Sequence, residues 1–67
     1  MSIAKVTEIS AASSESFEDA IREGIARASK TLQNIQSVWV NEQKVKVVNN
    51  QITEWRVIMK VTFVLND

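Results

Sequence analysis

Gln51-Ile-Thr-Glu-Trp-Arg-Val-Ile-Met-Lys-Val-Thr-Phe-Val-Leu65 alternates with a period of two along its whole length. One set of positions is Trp55, Val57, Met59, Val61, Phe63 and Leu65, all apolar, and the other is Ile52, Glu54, Arg56, Ile58, Lys60, Thr62 and Val64. Successive side chains of a strand point to opposite sides, so this pattern predicts a β-strand with one dry face and one mixed face. At roughly 3.3 Å per residue these fifteen residues extend about 50 Å. A compact chain of 67 residues has a radius of gyration near ~11 Å and a diameter of about 28 Å. The strand is longer than the domain that carries it. It must curl strongly, or its ends must project and meet other copies, so a curved sheet and a homo-oligomer are both expected.

Just upstream, Asn49-Asn50 accept positive φ and suit a tight type I′ hairpin. A second strand is expected from about Ser37 to Val48. Its pattern changes phase, with Val38 and Val40 in one register, Val45 and Val47 in the other, and polar Asn41-Glu42-Gln43-Lys44 between. That is the signature of a bulge or sharp bend. Further upstream, Phe17, Ala20, Ile21, Gly24, Ile25, Ala28 and Leu32 recur at steps of three and four, while Glu18, Arg22, Glu23, Arg27 and Lys30 take the other side. This predicts an amphipathic helix over roughly Ser14 to Gln33, with Ser13 as its cap and Glu15, Glu18 and Asp19 suited to the positive end of the helix dipole. Gly24 falls on the apolar stripe, where a missing side chain lets a helix settle close on a sheet. Ile3 to Ile9, with β-branched Ile3, Val6, Thr7 and Ile9, reads as a short first strand. The expected order is β-α-β-β: an α+β domain in which a curved, antiparallel three-stranded sheet packs on one amphipathic helix, as a single unit over residues 1–67.

Composition removes whole classes of function. There is no cysteine and no histidine, so disulfides, thiolate metal sites and the commonest general base are absent. Ser29 and Lys30 are helix neighbours that face apart, and Glu18, Asp19 and Glu23 are solvating charges on a helical face. A single glycine leaves no phosphate loop. An enzyme is not expected. Eight basic and eight acidic residues cancel without a run of like charge, which argues against nucleic acid and against an anionic membrane surface. No window approaches the ~20 apolar residues of a membrane span. The N-terminal Met-Ser-Ile-Ala-Lys-Val-Thr-Glu lacks the apolar core of a signal peptide, so the cytoplasm is the expected compartment.

Binding chemistry is concentrated on the mixed sheet face. Trp39 lies two residues beyond Ser37 on one side of its strand, and Arg56 projects off the dry face of the hairpin partner. An indole near a guanidinium and Lys44 suits a planar ring and an anion. The competing account makes Trp39 a filler of a subunit interface and pairs Arg56 with Glu54 or Glu42. Trp55, on the dry face, is expected in the core.

The chain resembles the dodecins, small proteins that assemble into a hollow dodecamer and, in their best-known members, hold flavins between subunits. Lys5-Val-Thr-Glu-Ile is similar to the family's first strand, Ala11-Ala12-Ser13 takes the place of its Gly-Thr-Ser segment, and Ser16-Phe17-Glu18 opens the helix. Ala26-Arg27-Ala28 with Thr31-Leu32 is similar to the helix's closing turns. Trp55-Arg56-Val57 and Val61-Thr62-Phe63 match the third strand. The resemblance implies storage or sequestration of a small molecule, with riboflavin or flavin mononucleotide (FMN) the leading ligand. Ser37, Trp39, Lys44 and Arg56 are the candidate ligand-binding residues. Two positions depart from the flavin binders. Ser37 stands where they carry a tryptophan that stacks on the isoalloxazine ring, and Arg56 where a glutamine bonds the ring edge. Trp39 shares a strand face with Ser37 about 7 Å further along. The same departures resemble a branch described as binding calcium in place of flavin, although Glu8, Glu42, Glu54 and Asp67 are scattered along the chain.

Overall fold

The computed structural model describes residues 3–65. Asp67, named above among the scattered carboxylates, lies outside them. The elements are β1 (Ala4–Ser13), α1 (Phe17–Ala28), β2 (Ile35–Val48) and β3 (Gln51–Val64). The sheet is antiparallel with strand order β1-β3-β2, so the long period-two strand is the central one.

Helix α1 covers only the middle of one sheet face, packing on β1 and β3. Val57, Met59 and Val61 are 0% exposed there, with Ala20 of the helix also at 0%. Ile9, Ala11, Phe17, Ile21, Val38 and Val40 close around them. The dry face of β3 is therefore dry only under the helix. Trp55 lies beyond it, level with Ser13 and Val45, and is half-buried, not in the core as its alternation predicts. The molecule measures 52 × 19 × 13 Å with a radius of gyration of 13.8 Å, against ~11 Å for a compact chain of this length. Of the two ways to house so long a strand, this subunit lets the ends project.

Local chemistry explains the boundaries. Asn49 and Asn50 have φ of 52° and 63°, as a type I′ hairpin requires. Going outward, Thr53 is an extra residue on β3, Asn41 an extra on β2, and Gln36 another on β2, so the predicted phase change in β2 is a bulge. The helix is shorter than its periodicity suggests, and its cap is Ser16, not Ser13. The Asp19 amide donates to Ser16 Oγ at 2.9 Å. Ser13 is buried at the end of β1, where its Oγ accepts from the amides of Glu15 (2.9 Å) and Ser16 (3.4 Å) and donates to Asp19 Oδ2 (2.6 Å). At the other end, the Ser29 hydroxyl donates to Ala26 O at 2.7 Å and the chain leaves the helix through a turn to Asn34 at φ 62°. β1 runs four residues past Ile9, because Ser10-Ala-Ala-Ser13 pairs with β3 from Ile58 to Trp55 without a register shift. Tertiary pairing here overrides a segment of weak strand propensity. Gly24 behaves as expected: a Cβ at that position would sit 2.7 Å from Met59 Cε and 3.1 Å from Ala11 Cβ.

Candidate ligand-binding face

The sheet face away from α1 is open. β3 contributes Arg56, Ile58, Lys60 and Thr62, alternating with the buried trio, and cross-strand partners share their side. Trp39 is opposite Lys60, Ser37 opposite Thr62, Glu42 opposite Ile58, and Lys44 opposite Arg56. All four sequence-predicted residues thus share this face. The pairing divides them, however. Lys44 and Arg56 are cross-strand neighbours, whereas Trp39 lies four β3 residues away, about 13 Å, and Ser37 six, about 20 Å. A single subunit does not bring the indole to the guanidinium.

Arg56 is tied down. Its Nε donates to Glu54 Oε2 at 3.3 Å and its Nη1 to Ser10 Oγ at 2.9 Å. Of the two partners considered from the sequence, it takes Glu54 and not Glu42. With Lys44, Lys46 and Val45 these two side chains line an open recess of about 300 Å³. The indole of Trp39 is 64% exposed, and the Lys60 ammonium lies 5.3 Å from its ring centroid. That distance falls within the ~6 Å over which a cation is held by an aromatic face. Lys60 was not among the sequence candidates. The signal for it was present: the bulges at Thr53 and Asn41 have opposite sense and cancel, so plain counting outward from Asn49-Asn50 sets Trp39 opposite Lys60.

Behind β1, on the helix side, Ile9, Ala11, Ala28 and Leu32 line a larger recess of about 700 Å³, with Glu23 and Arg27 at its rim. β1 and β2 are both sheet edges within the subunit. Among the described residues, no three Asp or Glu side chains gather as a metal site, and no helix is long and apolar enough to cross a membrane.

The dodecin family model matches residues 3–66. The chain belongs to the dodecin family. Among solved structures, a dodecin from Streptomyces davaonensis is 41% identical, superposes with a TM-score of 0.94, and is matched over 98% of this chain and 97% of that one. A variant of the Thermus thermophilus dodecin is 30% identical over 100% of both chains, with a TM-score of 0.95. A calcium-chelating antigen from Mycobacterium tuberculosis, termed calcium dodecin, is 29% identical over 96% of this chain and 91% of that one, with a TM-score of 0.82. No curated protein sequence matches the chain. The β-α-β-β order and three-stranded antiparallel sheet are those of a dodecin.

Proposed function

We propose that this dodecin is a non-enzymatic, cytoplasmic binding protein that builds a hollow homo-oligomer, a dodecamer by family likeness, and sequesters a flavin-class ligand, riboflavin or FMN, between its subunits. The observation that carries the proposal is the exposed Trp39 indole, set beside a cation on a sheet face that the subunit leaves uncovered. An indole presents a flat apolar surface for a planar ring, and its neighbour supplies a charge. Assembly is supported by what the subunit fails to bury. Val6 is also exposed on the mixed face, Val45, Val47 and Ile52 are exposed near the β2–β3 turn, and among the described residues only three large side chains are fully enclosed. So small a core gives marginal stability unless other copies cover the rest.

Ser37 and Arg56 occupy the positions of the family's stacking tryptophan and ring-edge glutamine. Their separation of about 20 Å along one subunit means that a ligand touching both positions has to draw them from different subunits. Trp39, one strand repeat from Ser37, is the aromatic residue that substitutes on this face.

The test is a titration of riboflavin and FMN into purified protein, following flavin fluorescence, with assembly mass measured by light scattering on the same sample. Quenching at micromolar concentration on a large assembly is expected, weakened in Trp39→Ala while the assembly persists. An intact assembly that quenches neither flavin overturns the ligand reading. A Trp39→Ala protein that falls to smaller species makes Trp39 an interface filler instead.

The similarity to the calcium dodecin of Mycobacterium tuberculosis, with serine at position 37, supports a second reading: a flavin-free assembly that binds calcium. A hard cation takes six or more oxygens, so such a site would combine carboxylates such as Glu8, Glu42 and Glu54 from several subunits.

A further inference from the structure

Resting on the ligand reading above, we infer that Lys60 sets which ligand the face accepts, by requiring a planar ring that carries an anionic group of its own. Lys60 stands directly across the β2–β3 pairing from Trp39, and its ammonium lies over the indole at 5.3 Å from the centroid. Its partner on the other side is Glu8 of β1. The ion pairs among the described residues are nonetheless Arg22–Glu18 and Arg56–Glu54, so the ammonium is directed to the indole and not to that carboxylate. It therefore occupies one face of the indole, the one that carries the charge beside it.

The consequence follows from what displacement costs. A ring stacking on that same face displaces the ammonium from it. An uncharged ligand such as riboflavin gives nothing back, whereas a ring bearing a phosphate offers the displaced ammonium an oxygen. The flexible four-carbon stem of lysine allows that swing without moving the strand. Among the described residues no other cation is as well placed. Arg56 is already bonded to Glu54 and Ser10, and with Lys44 it lies about 13 Å from the level of Trp39. Lys60 thus penalises the neutral ligand and rewards the anionic one, and both effects favour FMN over riboflavin.

The experiment titrates riboflavin and FMN separately into the intact assembly and compares wild type with Lys60→Gln, Lys60→Arg and the helix-surface control Lys30→Gln, with assembly mass measured on each. Wild type is expected to prefer FMN by about tenfold, the low end for a hydrogen bond to a charged group. In Lys60→Gln the FMN affinity falls, the riboflavin affinity rises, and the ratio approaches one. Lys60→Arg keeps the preference and Lys30→Gln leaves it unchanged. Raising the salt concentration narrows the wild-type ratio through screening. A lysine that only supports the sheet would lower both affinities together. Equal binding of the two flavins by wild type, or a preference that survives Lys60→Gln, overturns the inference and leaves the ligand reading standing. An intact wild-type assembly that binds neither flavin overturns both.

Discussion

Gly24→Ala sets two effects of opposite sign against each other at the closest approach between helix and sheet. Replacing a mid-helix glycine by alanine stabilises a helix by about 1 kcal/mol. Here the added methyl would meet Met59 Cε at 2.7 Å, inside any real carbon contact, and Ala11 Cβ at 3.1 Å. Met59 is 0% exposed, so its terminal methyl has no solvent to swing into, and Ala11 is fixed by the β1–β3 pairing. Overpacking of this kind costs typically ~1–3 kcal/mol. Gly24→Ala is therefore expected to be destabilising by about 1 kcal/mol net, which lowers Tm by roughly 4–8 °C for a domain of this size. Met59→Ala alone costs more, about 2–5 kcal/mol, through its cavity. In that background the worst contact is gone, and adding Gly24→Ala should stabilise, recovering up to about 1 kcal/mol of helix propensity. The assay is urea unfolding of all four proteins at one fixed protein concentration, because stability in an oligomer depends on concentration. A coupling of at least ~1 kcal/mol is expected from residues in contact. If Gly24→Ala stabilises equally in both backgrounds, Met59 moves aside at no cost and the close-approach account of this glycine is wrong.

Three other substitutions test the helix start and the altered site. Ser16→Ala removes the cap and should cost about 1 kcal/mol, while Ser13→Ala strips three hydrogen bonds from a buried hydroxyl and should cost about 1–2 kcal/mol; thermal melts in which Ser14→Ala is equally damaging would refute the assignment of these roles. Ser37→Trp, which restores the aromatic of the family's flavin binders, should tighten riboflavin by about two- to tenfold, from ~0.5–1.5 kcal/mol of ring stacking; a fluorescence titration showing no gain would mean that the site has moved away from position 37.

The fold was legible in the sequence wherever one physical effect dominated. The alternation in β3, the helical stripe through Gly24 and the Asn49-Asn50 turn each reflect a single local requirement, and each stands as expected. The misreadings arose where two requirements competed. Ser10-Ala-Ala-Ser13 has the composition of a connection, but pairing with β3 draws it into β1. Ser13 and Ser16 are equally good caps by type, and only the burial of Ser13 at the strand end separates them. Trp55 belongs to the apolar set, yet a helix of 12 residues cannot cover a strand of 14, so it stands outside the core. For the candidate face, sidedness was readable and proximity was not. Ser37, Trp39, Lys44 and Arg56 do share a side, but which of them stand across from one another depends on the bulges at Thr53 and Asn41, which leave only a weak polar trace. Lys60 needs the register as well, since its importance comes wholly from standing opposite Trp39, and counting outward from the Asn49-Asn50 turn supplies it.

The pairing of β1 with the far end of the chain also governs how the molecule comes into being. Ala4 meets Val64 and Ser13 meets Trp55, so of the four elements the central strand is made after the other three and the strand beside it before them. While β1 and α1 emerge, the surface that will bury Ala20 and Ala11 does not yet exist. β2 has nothing to pair with until the Asn49-Asn50 turn has been made and β3 follows it. Contacts between residues so distant in sequence make folding slow and expose apolar edges in the meantime. A chain halted between residues 48 and 51 has its helix and two strands made and no central strand to join them. The finished sheet therefore forms only once β3 is available to both of its neighbours.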